Sequence, residues 1–415
     1  MPTEAVRLRG AVSRNVVNLG LTSLFTDISS EMVSTVLPIY LVFILKFTPL
    51  QFGALDGLYQ GGAALIRLVG GVAADRSQRY KEVAALGYGL SALSKIGLLF
   101  GGLGGPGILA ASLFVDRTGK GIRTAPRDAL ISLSSTPQSL GISFAVHRAL
   151  DTCGAMIGPL LAFGVLTLIP NGFDVIFVLS LCVALVGLGV LVLFVQNRAP
   201  TVRATEAPRV NIGEVLLRAP RFKYLVLAAG GLGLATISDG FLYLTLQHRL
   251  TFAASFIPLL YVATSLVYFL LALPAGRLAD RLGRGRVFIA GYGLLLAVYA
   301  VLLLPFGLGE TALVACILLF GGYYALTDGV LMAFASSMLP AEVRTTGLAV
   351  LTAAAGLGSL AASLVFGALW TFGGPESAVS VFVGGLSVAI ALTFLALWRT
   401  RAQTTPTSSP TPTTA

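Results

Sequence analysis

Long apolar runs, each poor in charge, follow one another along the chain and are separated by short stretches rich in Gly, Pro and Arg. Roughly 20 helical residues span the hydrocarbon core of a bilayer and a buried strand needs far fewer, so runs of this length predict membrane-crossing helices. They fall near 16–45, 52–74, 83–102, 106–132, 139–168 and 173–196, and again near 222–247, 253–277, 287–308, 311–337, 344–370 and 378–398. The expected fold is an all-α polytopic membrane protein, with twelve transmembrane helices in two pseudo-symmetric six-helix bundles. Residues 1–14 form an amino-terminal segment, 15–196 and 221–398 the two bundles, and 197–220 an Arg- and Pro-rich linker. The last stretch, 399–415, is a Thr/Ser/Pro tail with nothing to bury and no reason to fold.

Composition sharpens this. Of 415 residues 56% are apolar and 11% charged, where a soluble domain carries about a quarter charged residues. Arg7, Arg9 and Arg14 ahead of the first run look like the start of a signal peptide. That run, however, holds Asp27 and Glu31, continues past signal-peptide length and lacks a small-residue cleavage pattern, which makes it a retained helix. Nineteen of the 28 Lys and Arg fall in the termini and the loops on the amino-terminal side, against Lys46 and Arg249 near the other side. Both termini are therefore expected in the cytoplasm, with the protein in the inner membrane of a bacterium. Basic loops facing anionic lipid account for the net charge of +10 without nucleic acid. Cys153, Cys182 and Cys316 stand singly in apolar segments and are read as small buried hydrophobes. His147 and His248 lie far apart and the five Met are scattered, so no metal site is expected; the sequence has no Walker phosphate loop, and no cofactor is expected either.

One loop occurs twice. GGVAADRSQRYK, from Gly70 to Lys81, and PAGRLADRLGRGR, from Pro274 to Arg286, put Asp75 and Asp280 205 residues apart, close to half the chain, as a duplicated six-helix unit requires. A fainter echo pairs RDALISLSS from Arg127 with TDGVLMAFASS from Thr327, which makes Asp128 and Asp328 equivalents. The two G-x-x-x-D-R loops resemble the signature of the major facilitator superfamily. Gly71, Asp75 and Arg76 match it in the first half, and Gly276, Asp280, Arg281, Gly283 and Arg284 in the second; Ser77 and Gln78 depart from it. The resemblance covers residues 15 to 398 and implies two bundles that rock about a central site, opening it to one side at a time. It also implies that these loops, with Arg127 placed to meet Asp75, latch an inner gate; the alternative is that they only stiffen the fold. Gly154, Gly158 and Pro159 resemble the glycine-proline signature of antiporter members, although glycines four apart serve close helix packing equally well. Arg117 with Gly121 resembles the arginine-glycine signature of the fourth helix.

The spans leave charges in hydrocarbon, where each is costly unless it faces the bundle interior or a wet cavity. The first half holds Asp27, Glu31, Arg67, Lys95, Asp116, Arg117, Lys120, Arg123, Arg127, Asp128, His147, Arg148 and Asp151; the second holds only Asp239 and Asp328. Asp27 and Glu31 lie one turn apart on one helix face, and two acids that close resist ionising together, so they lead the candidates for proton coupling. Asp151, Asp239 and Asp328 complete that set, and permanent pairing of the first two with Lys95, Arg117 or Arg148 is the opposing reading. Arg117, Lys120 and Arg123 are placed to meet an anionic group on a substrate, with Lys95, His147 and Arg148 as further contacts. An internal network with Asp116, Asp128 and Asp151 is the alternative. Asp239 and Asp328 lack a base in their own half, so they either meet the first half across a cavity or hydrogen-bond to Tyr243, Tyr323 or Tyr324. Tyr40, Tyr59, Phe144, Phe241, Tyr261 and Tyr268 are available to line an adaptable apolar cavity.

An enzyme is not expected, because His147 and Asp151 have no nucleophile in reach of their helix face. The leading expectation is a monomeric secondary carrier in the lipid bilayer that exports a small organic solute, drug-like or anionic, in exchange for protons. The alternative is uptake or exchange of an organic or inorganic anion, by proton symport or facilitated exchange. Seven bases against five acids inside the first half lean toward a solute bearing an anionic group.

Overall fold

A computed structural model describes residues 12–136, 138–198, 222–304, 309–339 and 344–402, with backbone alone at 64–65, 67–76, 102–103, 344–345 and 397–402. The first half comprises α1 (Arg14–Ile39, prolonged by a π-helical turn Tyr40–Ile44), α2 (Pro49–Ser77), α3 (Tyr80–Leu99), α4 (Gly101–Leu133), α5 (Leu140–Leu168) and α6 (Phe173–Phe194). The second comprises α7 (Phe222–Leu234), α8 (Asp239–Leu250), α9 (Ile257–Leu282), α10 (Arg284–Leu303), α11 (Gly309–Met338) and α12 (Arg344–Ala402).

Among the described residues nine helical stretches are long and apolar enough to cross a bilayer. One of them, Thr346–Ala396, has 51 residues. At 1.5 Å per residue that is about 77 Å, more than twice the hydrocarbon thickness. Gly374, with φ 82°, interrupts it ahead of Pro375, between the two spans read from the sequence. Gly105 (φ 68°) ahead of Pro106 likewise breaks the start of α4, so the regular helix begins where the apolar run does. α2 and α4 fall outside the nine, and α4 carries six charges between Asp116 and Asp128.

The seventh span departs from expectation. One helix over 222–247 was expected, and the chain leaves helical form between α7 and α8 instead. Ser238 is extended (φ −66°, ψ 156°) and its hydroxyl accepts from the backbone of Phe241. The Tyr299 hydroxyl accepts from Ile237 N at 2.6 Å and donates to Ala235 O at 3.3 Å. These side chains satisfy the backbone groups that the break releases, which is what allows non-helical chain at membrane depth.

In the first bundle α1 packs on α5 and α6, α4 on α2 and α3, and α3 on α6; in the second α12 packs on α7 and α10, and α11 on α9 and α10. The bundles meet through α2 with α12 and α5 with α9. Along α2 a Cβ at Gly53, Gly57 or Gly61 would lie 2.3, 2.7 or 2.8 Å from the carbonyl oxygens of Ser363, Leu360 and Gly356. These backbone contacts all belong to the amino-terminal part of α2, where Leu50 N also donates to Thr371 Oγ1 at 3.0 Å.

The surface is apolar: Leu168 and Phe372 are each 84% exposed, as lipid-facing residues can be. This corrects the reading of the cysteines. Cys316 is buried, but Cys153 and Cys182 are exposed, because an outward helix face needs only lipid to cover a small apolar side chain.

Candidate functional site

The site is built on α4. Asp116, Arg117, Lys120 and Arg123 recur at three- and four-residue spacing and so share the side of the helix turned into the bundle. Lys95 on α3 reaches Asp116 Oδ1 at 2.6 Å, and Arg117 binds the other oxygen through Nε, at 3.1 Å, and a terminal nitrogen. The Arg117 guanidinium lies 3.6 Å from the centre of the Tyr59 ring. Lys95, Asp116 and Arg117 are all buried, so their charges depend on one another for solvation. Lys95 therefore sits behind the wall that Arg117 presents. Lys120, one turn farther along, has no ion-pair partner among the described residues.

Arg117 and Lys120 face a cavity of about 330 Å³ between the two halves. The first half also contributes Glu31 and Ser34 from α1, Asp56, Tyr59 and Gln60 from α2, and Ala155 and Pro159 from α5; the second contributes Asp239, Tyr261 and Ser265. Pro38, Phe52 and Leu37 line it at the end where α2 meets α12. There Phe52 packs on Phe241 (4.7 Å between centroids), and Phe241 on Phe366 (4.8 Å), an aromatic plug made by both halves.

Three carboxyl groups in this cavity are held by hydroxyls. Ser34 Oγ donates to Glu31 at 2.7 Å, Ser363 Oγ to Asp56 at 2.7 Å, and Tyr324 Oη to Asp239 at 2.6 Å. The side chains of Ser238 and Gln60 lie next to Asp56. Among the described residues none of the three has an ion-pair partner. Sequence reasoning missed Asp56, which lies near the start of its span and looks like an end residue. Its D-x-x-Y-Q spacing, placing Tyr59 and Gln60 one turn on, was the available signal.

Below the cavity, toward the amino-terminal end of α1, lies a second cluster. Asp27 on α1 lies beside Asp151 on α5, so the two acids share one half-buried spot. Glu31 thus parts company with Asp27, despite their common helix face. Arg127 pairs with Asp128 at 2.9 Å and lies 3.9 Å from Asp151. His147 is buried and its Nε2 meets Ser23 Oγ at 2.9 Å. Arg123 is buried with its guanidinium 4.7 Å from the Tyr88 ring centre. Arg148 is 81% exposed and 3.8 Å from Asp151, and the exposed Asp328 accepts from Tyr268 at 3.3 Å, not from the tyrosines expected.

Of the gating candidates, the side chains of Gly71, Asp75 and Arg76 lie outside the described residues, and so does any contact between Asp75 and Arg127. In the second copy Arg284 binds Asp280 at 3.2 Å and Ala333 O at 2.9 Å, tying α9 and α10 to α11. Gly283, with φ 95°, makes that turn; Arg281 is exposed, and a Cβ at Gly276 would meet nothing. Gly154 and Gly158 bring α5 onto α1, where a Cβ would lie 2.5 and 2.6 Å from the carbonyls of Leu24 and Ile28. Pro159 follows at the cavity wall.

Two bundles around a shared polar cavity match a known family. The model of the Major Facilitator Superfamily fits residues 19–250 and 231–414. The chain belongs to that superfamily. An uncharacterized MFS-type transporter of Methanocaldococcus jannaschii is 32% identical over 368 residues, 86% of this chain and 89% of that one. Among solved structures, a variant of the nucleoside transporter NupG superposes with a TM-score of 0.75 at 16% identity, over 93% of this chain and 99% of that one. A variant of the peptide transporter POT superposes with a TM-score of 0.76 at 15% identity, over 95% and 97%. At such identities the likeness is one of fold. As a Major Facilitator Superfamily member the protein is a secondary transporter and not an enzyme, and the cavity between its bundles is the candidate transport site.

Proposed function

We propose that this transporter crosses the inner membrane twelve times, with both termini cytoplasmic, and exports a small organic solute in exchange for protons. α2 and α4 cross in spite of their charges, and α12 crosses twice about Gly374. With the termini inside, the α2 and α12 contact seals the outer end of the cavity.

The observation that carries the reading is the trio of Glu31, Asp56 and Asp239, held by Ser34, Ser363 and Tyr324 and facing the cavity without an ion-pair partner among the described residues. Carboxylates in such a place are costly unless neutralised. A proton or a cationic group on the solute does this equally well, so the two compete for one site. Competition of that kind yields exchange, and an inward proton gradient then drives the solute out. Asp27 and Asp151 supply a second pair of proton-holding groups between the cavity and the cytoplasmic end. A purely anionic solute is less well served. Asp56 adds an acid to the expected tally, and Lys95 and Arg117 share Asp116, which leaves Lys120 as the free base of the cavity among the described residues.

The test is proton movement in vesicles reconstituted with the full chain, under an imposed pH gradient, with organic cations, organic anions, zwitterions and inorganic phosphate added to one side in turn. Exchange predicts proton flow opposite to the solute. Co-directional flow would make the protein a symporter, and solute counterflow without proton flow would remove the carboxyl-coupling proposal altogether.

A further inference from the structure

We infer that the cargo is zwitterionic: a small solute whose anionic group sits on Lys120 and Arg117 and whose cationic group sits on Asp239 and Asp56. This deepens the proposed function and rests on the cavity being the transport site.

The bases of the cavity are confined to one element. Both, Arg117 and Lys120, come from α4 in the first bundle. The second bundle contributes one charged group among the described residues, the carboxyl of Asp239, together with the hydroxyl-bearing Tyr261 and Ser265. Asp56 belongs to α2 but is bound to that bundle by Ser363 at 2.7 Å, and Ser238, the cap residue immediately before Asp239, lies next to it. The bases of the cavity are thus fixed to one bundle, with Glu31 of α1 beside them, and its other two carboxyls, Asp239 and Asp56, are fixed to, or fastened onto, the other. Among the described residues no ion pair joins these bases to Asp239 or Asp56, and the Arg117 charge is already committed to Asp116.

A singly charged solute would pair with one of these two sets and leave the other desolvated and unpaired as the site closes. A zwitterion satisfies both and bridges the halves, so its binding differs in strength between arrangements of the bundles, which a carrier needs in order to couple binding to rocking. Tyr59, stacked under Arg117, and Tyr261 supply apolar faces in the same cavity. A cavity of about 330 Å³ is at the small end of ligand pockets, so the cargo is a small molecule.

The experiment uses phenylalanine, 4-aminobutyrate and 6-aminohexanoate as zwitterionic probes, each beside its methyl ester, which removes the anionic group, and its N-acetyl derivative, which removes the cationic one. Binding to the full chain is read from the shift of its unfolding midpoint in detergent, and transport from counterflow in vesicles. At least one zwitterion is expected to bind about tenfold to a hundredfold more tightly than either derivative. Lys120→Gln should abolish the preference over the ester while keeping the preference over the N-acetyl form, and Asp239→Asn should do the reverse. A derivative that binds as well as its parent, two variants that lose every probe alike, or no response to any zwitterion would each overturn the assignment. Its failure is distinguishable from failure of the exchange reading: a singly charged solute exchanging with protons sinks the zwitterion alone, and zwitterion counterflow indifferent to the pH gradient sinks proton exchange alone.

Discussion

Asp116 shows how much of the first bundle hangs on one carboxylate. It is the shared anion of Lys95 and Arg117, and all three are buried. Asp116→Asn would leave two cations buried without a counter-charge, at a cost of about 3–5 kcal/mol, whereas Lys95→Met keeps a neutral pair and should cost about 1 kcal/mol or less. Loss of folded monomer on gel filtration after graded heating measures both; equal tolerance of the two substitutions would show that the triad does not hold the bundle. The sequence made Asp116 and Arg117 legible as members of an internal network, but it offered Lys95 to Asp27 and Glu31 or to the solute, and the pairing of Lys95 with Asp116 across α3 and α4 was not legible. The partners of Asp27 and Glu31 were not legible. One turn apart on α1, they diverge to Asp151 and to Ser34, and that choice is made by where α5 presses on α1 at Gly154 and Gly158.

At the scale of elements, the breaks in the helices divide by cause. Those at Gly105 with Pro106 and at Gly374 with Pro375 are local, need a backbone that only glycine takes easily, and stand in the sequence as boundaries between apolar runs. The break between α7 and α8 has no such punctuation. It depends on Tyr299, contributed by α10 more than 60 residues later, and only the Ser238 and Asp239 cap pattern hinted at it. The contact of α2 with α12 depends on absence of side chains. At Gly57 a Cβ would stand 2.7 Å from Leu360 O, a backbone atom that cannot swing aside. Gly57→Leu should therefore disfavour the sealed end by about 1–3 kcal/mol of overpacking, roughly five- to more than a hundredfold in population. In a cysteine-free background, Ser34→Cys on the cavity wall should then be labelled faster by an impermeant maleimide from outside. Gly164→Leu, where a Cβ would meet nothing, serves as the control and should change neither labelling nor transport.

For the molecule as a whole, the two bundles meet through the amino-terminal part of α2 with α12 and through α5 with α9, and charged groups stand uncovered on α5 and α11. Arg148 on α5 is 81% exposed although it lies within an apolar span, and Asp328 on α11 is exposed although its neighbours Thr327 and Val330 are buried. Tyr268 on α9 donates to Asp328 and lies within electrostatic range of Arg148, so the two charges, one from each half, stand near one another. Charges this exposed within membrane spans need water around them. When the bundles rock to close the mouth that admits this water, each must find a partner of opposite sign or bear the desolvation cost. Pairing across the halves, Arg148 with Asp328, meets that need, and it would exist only in the arrangement opposite to the one seen. Arg148→Asp and Asp328→Arg should each slow exchange by weakening the closed mouth, and the double exchange of charge should recover it, with a coupling energy of about 1–3 kcal/mol. Because neither residue lines the cavity, binding of the solute should change little in the three variants. Single substitutions that slow transport without recovery in the double variant would mean that the two charges close the mouth through other partners, with Asp128, 43% exposed on α4, the next to try against Arg284.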